Sequence, residues 1–294
     1  MPRVDWRLVR DDDFRVPASR PLTDLTAELT ELLGNPDPHL RNDLALPVLS
    51  NWIGRGVYDD LLRGLGDGIA TGLLTGLGEN GTDTVFRRSY CALVLGDIID
   101  RDTDRLLVPP AKVLEWGDRL ATWYLAERDL RAYVPMRGWA HAVAHGADAL
   151  GALARSPHCG AGELVVLLDV ICERVIAPVD RVWTSGEPDR LAHSTLEVLR
   201  RGLVPQELLE PWLRPIGEQA RKRPPRVGGD VYRLRGNAAS YLRALYLQLA
   251  LGPEPPPGRA DLLLLLVDHL RAAHPAFLGP QHRDQPSATG TGTA

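Results

Sequence analysis

Along nearly the whole chain the apolar positions recur every three or four residues. Tyr90, Leu93, Val94 and Ile98 share one helical face together with Asp97. Leu191, Thr195, Leu196, Leu199 and Leu203 share a second, and Tyr241, Leu242, Leu245, Tyr246 and Leu249 a third. This spacing lays side chains along one stripe of an α-helix, and no stretch alternates apolar and polar residues as a half-buried strand does. Proline and glycine fall between the stripes, in LGNPDPH, VPPAK, RSPHCGAG, RGLVPQE and LGPEPPPGRAD. There they stop one helix or open the next. The pattern predicts an all-α fold.

The stripes come in pairs: 41–53 with 58–77, 86–100 with 109–127, 140–154 with 161–176, 191–203 with 205–220, and 237–251 with 259–273. Asn42, Ser89, His141, His193 and Asn237 stand near the starts of the first members, at intervals of 47, 52, 52 and 44 residues. Two-helix repeats of about 40–47 residues are typical of HEAT-like arrays, whose neighbours stack to bury one continuous core. The expectation is a HEAT-like array of about five helical pairs, with a compact irregular helical domain as the alternative. Residues 1–20 read as an N-terminal arm packed through Trp6 and Phe14, and 21–278 as one domain. Residues 279–294, without periodic apolar positions, read as a disordered tail. The basic, Pro/Gly-rich ARKRPPRVGGDVYRLRG reads as an exposed connector.

Charge and cysteine content narrow the class. A formal charge of −4 argues against a nucleic-acid binder. The longest apolar run, Leu262 to Val267, is too short to cross a bilayer, and the acidic N-terminus has no apolar signal core. Three cysteines without CxxC spacing suit neither a disulfide scaffold nor a cysteine zinc site. A cytoplasmic protein is expected.

The sharpest chemical feature is RGWAHAVAHGAD, residues 137–148. On a helix, His141 and His145 stand one turn apart on the same face and Asp148 continues the stripe. Two imidazoles at this spacing can share a divalent metal, as in HExxH, but alanine occupies the place of the metalloprotease glutamate. Asp148 lies roughly 10 Å along the axis from His141 at about 1.5 Å per residue, so a third ligand must come from another helix. Asp97, Asp100, Cys172, Glu173 and His193 are candidate donors. Without a metal, His145 and Asp148 can pair as a general base and its orienting carboxylate, with His141 facing a substrate. The competing reading is structural: Ala140, Ala142, Ala144, Ala147 and Ala149 leave a smooth helix that packs closely, its histidines satisfied by hydrogen bonds.

Other stretches carry less. GLGENG matches GxGxxG, but helix rather than strand precedes it, so its glycines read as a helix stop. Thr82 or Asp83 then caps the next helix. DIIDRDTDR lacks the glycine and terminal glutamate of a calcium loop and reads as a solvated loop. Arg87 and Arg88, in a helix first turn, pair with acids or bind an anion. If the pairs stack, Arg87, Arg88, Trp139, His141, His193, Asn237 and Arg243 are candidates for one ligand groove. The occupant expected is a protein, a peptide or a small molecule.

GTDTVFRRSYCALVL, RAYVPMRGWAHAVAHGADALGALA, WTSGEPDRLAH and RGNAASYLRALYLQL resemble the signature segments of domain-of-unknown-function family 2785, a family of bacterial proteins. The resemblance runs from about Asp24 to Leu251. It implies one helical protein with the histidine segment as a family feature, and it brings no catalytic role. Two functions stay open: a helical-repeat binding or scaffold protein, or an enzyme, metal-dependent or acid–base, using His141, His145 and Asp148.

Overall fold

The computed structural model describes residues 4–223 and 230–279. Within them the chain is helical. Asp5 caps α1 (Trp6–Asp11) by accepting from the amides of Arg7 and Leu8, so the expected extended arm contains a helical turn. Trp6 is buried against the body and donates to Glu28 of α2 (Leu22–Leu32) at 2.8 Å. A π-helical segment, His39–Ala45, runs directly into α3 (Leu46–Gly54). Then follow α4 (Leu62–Gly72), α5 (Thr84–Arg105), α6 (Pro110–Ala126), α7 (Ala142–Arg155), α8 (Ala161–Ile176), α9 (Glu187–Arg200), α10 (Leu209–Arg221), α11 (Val231–Leu251), α12 (Arg259–Ala273) and the short α13 (Pro275–Leu278).

Two rows of helices run side by side. In one, α3 packs on α5, α5 on α7, α7 on α9 and α9 on α11. In the other, α4 packs on α6, α6 on α8, α8 on α10 and α10 on α12. The core lies between the rows and contains Trp52, Trp116, Trp123, Tyr124 and Tyr241, all buried. Each indole finds an acceptor at its polar end, as buried tryptophans require: the Phe14 carbonyl at 2.6 Å for Trp52, Asp67 at 2.9 Å for Trp116, Glu127 at 3.0 Å for Trp123. All three cysteines are buried and unpaired.

Three expectations change. DIIDRDTDR is not a solvated loop but the last turns of α5. Ile98 and Ile99 keep the helix packed, and its acids meet partners on neighbouring segments: Asp102 accepts from Val108 N at 2.7 Å and pairs with His158 at 3.0 Å. A two-stranded antiparallel hairpin, β1 (Tyr133–Val134) and β2 (Gly138–Trp139), precedes α7 where no strand was expected. Its strands are too short to display an alternating pattern. The connector after α10 is also shorter than expected, since Asp230 caps α11 and the helix begins at Val231. Residues 224–229 of that connector lie outside the described residues, as does the tail from 280 onward.

Candidate functional site

Helix α7 is where the small residues act. A Cβ on Gly96 of α5 would sit 3.3 Å from the Ala149 Cα, and one on Gly146 would run into the Tyr124 ring of α6. Small side chains therefore let α7 lie close against α5, α6 and α9, as the structural reading of the alanine run expects.

His141 does not lie on the helix. It is the N-cap of α7, with left-handed backbone angles (φ 51°, ψ 34°). The extended pairing behind the hairpin sets this up: Ala140 N donates to the Ala132 carbonyl at 2.7 Å and His141 N to the Arg131 carbonyl at 3.1 Å. The buried guanidinium of Arg41 anchors the hairpin by donating to the carbonyls of Arg137 (2.6 Å) and Trp139 (3.4 Å) while lying over Phe86 and Tyr90. The left-handed turn swings the His141 imidazole back onto the half-exposed Trp139, ring centres 4.4 Å apart. Its ring meets that of His145 edge to face at 5.8 Å. The His141 Nε2 is buried and has no hydrogen-bond partner among the described residues.

His145 has a fixed tautomer. The Ser89 hydroxyl donates to the Ala140 carbonyl, so its oxygen is left to accept from His145 Nδ1–H at 2.7 Å. Nε2 is then the unprotonated nitrogen. The ring also meets Tyr90 edge to face at 5.0 Å. Burial, with the nearby His141 and Arg190 adding to it, pushes the His145 pKa down to about 3. Burial likewise lowers His141, partly offset by the negative charge of Glu187.

The expected pairing of His145 with Asp148 is not formed. Asp148 accepts from Arg190 of α9, and His145 is held by Ser89 of α5. One helical turn separates the two side chains by enough for each to find a different neighbour. Burial raises Asp148 and the Arg190 guanidinium opposes the rise. Among the described residues, no group of three or more His, Cys, Asp and Glu side chains gathers as a metal site. Of the proposed third donors, Cys172 faces the Trp212 carbonyl of α10 instead, at 3.8 Å.

Asp148 and His193 instead line a cleft of about 250 Å³ across α5, α7 and α9, with Asp97, Asp100 and Arg155 as its other charged groups. Gly96 and Gly151 leave the space open. A second cleft, about 200 Å³, shares Asp97 and Asp100 and extends the groove to Ser50 of α3. Within it Asp100 pairs with Arg155 at 2.7 Å. Asp97 accepts from Ser50 Oγ at 2.5 Å and has no salt bridge among the described residues. Burial pushes its pKa up to about 6, and the charges of Asp100 and Asp148 add to the rise. In the sequence Asp97 is a polar position on the Tyr90–Ile98 face and, chemically, a remote metal donor.

The remaining candidates divide. Arg88 is buried and pairs with Glu127 through two contacts, 2.6 and 2.9 Å. Arg87 donates to the Thr30 carbonyl and faces α2. Asn237 holds the loop before α9, accepting from Trp183 N at 2.8 Å and donating to the Arg181 carbonyl at 3.1 Å. These three tie segments together, and none lines the groove. Arg243 donates to Ser240 on its own helix.

A family model described as a protein of unknown function (DUF2785) matches residues 73–247, more than half of the chain, and the chain belongs to that family. No curated protein and no solved structure matches it.

Proposed function

We propose that this member of the DUF2785 family is a binding protein built as a HEAT-like array of five helical pairs, α3/α4 to α11/α12. Its groove across α3, α5, α7 and α9 would receive a positively charged group of a peptide or small molecule. The carrying observation is Asp97: a partly buried carboxylate, shared by both clefts, whose only hydrogen bond among the described residues comes from a serine hydroxyl. Its raised pKa expresses the missing counter-charge, and an ammonium or guanidinium bound beside it would restore one. Asp148 and Asp100 add negative potential, and the exposed Trp139 stacked on His141 offers a flat apolar surface at the start of α7. The acid–base reading has less support. A His145 with its pKa near 3 and its Nδ1 committed to Ser89 is a weak proton acceptor at neutral pH.

Titration calorimetry with an acetylated, amidated tetra-arginine peptide tests this at pH 7.5 and 5.5. Binding should weaken about fourfold at the lower pH, where a carboxyl with a pKa of about 6 is roughly one quarter ionised, and about tenfold at pH 7.5 in Asp97→Asn. Equal affinity in wild type and Asp97→Asn, or no binding to either, rejects the groove as a cation site.

A further inference from the structure

A further cavity lies away from this groove. It measures about 870 Å³ and sits between the α4–α5 loop, the end of α6 and the end of α8. Leu77, Leu125, Leu130 and Val179 give it apolar walls, and Glu127 and Arg174 line it as well.

Arg174 is buried, 3% exposed, and makes no salt bridge among the described residues. Glu127 is the nearest acid to consider, but its carboxylate is already filled. Oε2 accepts from Arg88 Nε at 2.6 Å and Trp123 Nε1 at 3.0 Å; Oε1 accepts from Arg88 Nη2 and from Asp129 N, both at 2.9 Å. Arg88 therefore neutralises Glu127, and Arg174 reaches only the Glu127 backbone carbonyl, through Nη1 at 3.3 Å. The other two nitrogens, Nε and Nη2, are buried without a partner among the described residues. Burial pulls the guanidinium pKa down, with Tyr124 and Glu127 opposing. A buried charge without a partner is strongly destabilising, because nothing replaces the water it has lost.

The two unpartnered nitrogens are not a random pair. Nε and Nη2 form the side-on edge of the guanidinium, the edge that grips a carboxylate with two parallel bonds. This protein uses that edge repeatedly: Arg88 on Glu127, Arg101 on Asp59 at 2.8 and 2.6 Å, Arg155 on Asp100 at 3.1 and 2.7 Å. On Arg174 alone among these four is it unmatched.

We propose that Arg174 anchors a second binding site, for an organic carboxylate with an apolar body, in the cavity between α6 and α8. The carboxylate would take the Nε–Nη2 edge and the apolar body would lie along Leu77, Leu125, Leu130 and Val179. The guanidinium lies over the Tyr124 ring, 5.1 Å from its centre, and reaches the anion by swinging off the ring into the cavity it lines. The rim charges do not decide the sign. Arg128 and Asp180 are both exposed and opposite, and Glu79 is turned to the hydroxyls of Thr82 and Thr84 at 2.8 Å each.

Titration calorimetry and thermal melting of the full chain with octanoate, 1-octanol and inorganic phosphate test the site. Octanoate should bind and raise the melting temperature, with neither 1-octanol nor phosphate doing so. Arg174→Met should bind octanoate at least tenfold more weakly and, with the buried charge gone, melt at or above the wild-type temperature. Leu125→Glu changes an exposed wall residue and should weaken octanoate binding with little effect on melting, so the test survives an Arg174 variant that fails to fold. Equal octanoate binding by wild type and either variant overturns the proposal. So does equal binding of 1-octanol, or binding of phosphate but not octanoate. Absence of all binding, with Arg174→Met less stable than wild type, assigns Arg174 to the structure alone.

Discussion

Replacing His145 by asparagine isolates a pH-dependent term of known sign. Asparagine keeps a donor where Nδ1–H meets Ser89 and removes the ionisable ring. In the folded protein the His145 pKa is about 3, against an ordinary value of 6.5. Above pH 6.5 the ring is neutral whether the chain is folded or not, so its contribution to stability is fully present. As pH falls below 6.5 the unfolded chain binds a proton that the folded chain refuses, and stability is lost until the folded pKa is reached. Between pH 7 and pH 5 this amounts to about 1.5 pH units, or about 2 kcal/mol at 1.36 kcal/mol per unit. Asp97 works the other way. Its folded pKa is raised to about 6, so moving from pH 7 to 5 returns about 1.4 kcal/mol by protonating the native carboxylate first. The two terms act in opposite directions, and the lowered pKa of His141 adds to the loss on acidification. Urea unfolding of both proteins at pH 7, 6 and 5 separates them, because Asp97 is common to both. The stability advantage of wild type over His145→Asn should shrink by about 2 kcal/mol from pH 7 to 5. An advantage that stays constant with pH would refute the neutral, buried imidazole.

Two further outcomes follow from packing and pairing. Arg88→Met strands the buried Glu127 carboxylate and should cost about 3–5 kcal/mol in chemical unfolding, with Glu127→Gln added to it recovering much of the loss; a single variant within 1 kcal/mol of wild type (roughly the surface range) sinks this account. Gly146→Ala drives a methyl into the Tyr124 ring and should cost about 1–3 kcal/mol, whereas Gly68→Ala in α4, with nothing near its Cβ, should stabilise by about 0.5–1 kcal/mol. Equal melting temperatures for the two glycine variants would contradict the close approach of α6 and α7.

Where the apolar period is long, the sequence revealed the helices well. The stripes at 161–176 and 259–273 coincide with α8 and α12, and the prolines and glycines between stripes mark real breaks. What escaped depends on contacts that a period does not encode. His141 looks helical from its spacing to His145, yet the Arg41-anchored hairpin overrides that spacing and forces a left-handed cap. The acids of 97–105 look like a loop until Ser50, Arg155 and His158 are seen to meet them from other segments, with Asp59 taking Arg101 between them. For Arg88 the sequence leaves acid pairing and anion binding open, and Glu127, 39 residues away, decides it for pairing; Asn237 reads as an open binding group because its partner, the Trp183 amide, lies 54 residues away. Arg174 drew no notice because a single arginine in an apolar helix gives no hint that its neighbour's carboxylate is already taken.

The long reach of Arg41 constrains the order in which a growing chain can settle. Its acceptors at Arg137 and Trp139 are 96 and 98 residues downstream. The aromatic faces it lies over belong to α5. Before the hairpin is made, the Arg41 guanidinium has the Asn35 carbonyl and the two α5 rings but lacks its two longest-range acceptors. The contact that ties the start of the chain to the hairpin before α7 can form only after that hairpin has been made, so this part of the fold is completed across domain-length stretches of sequence rather than locally.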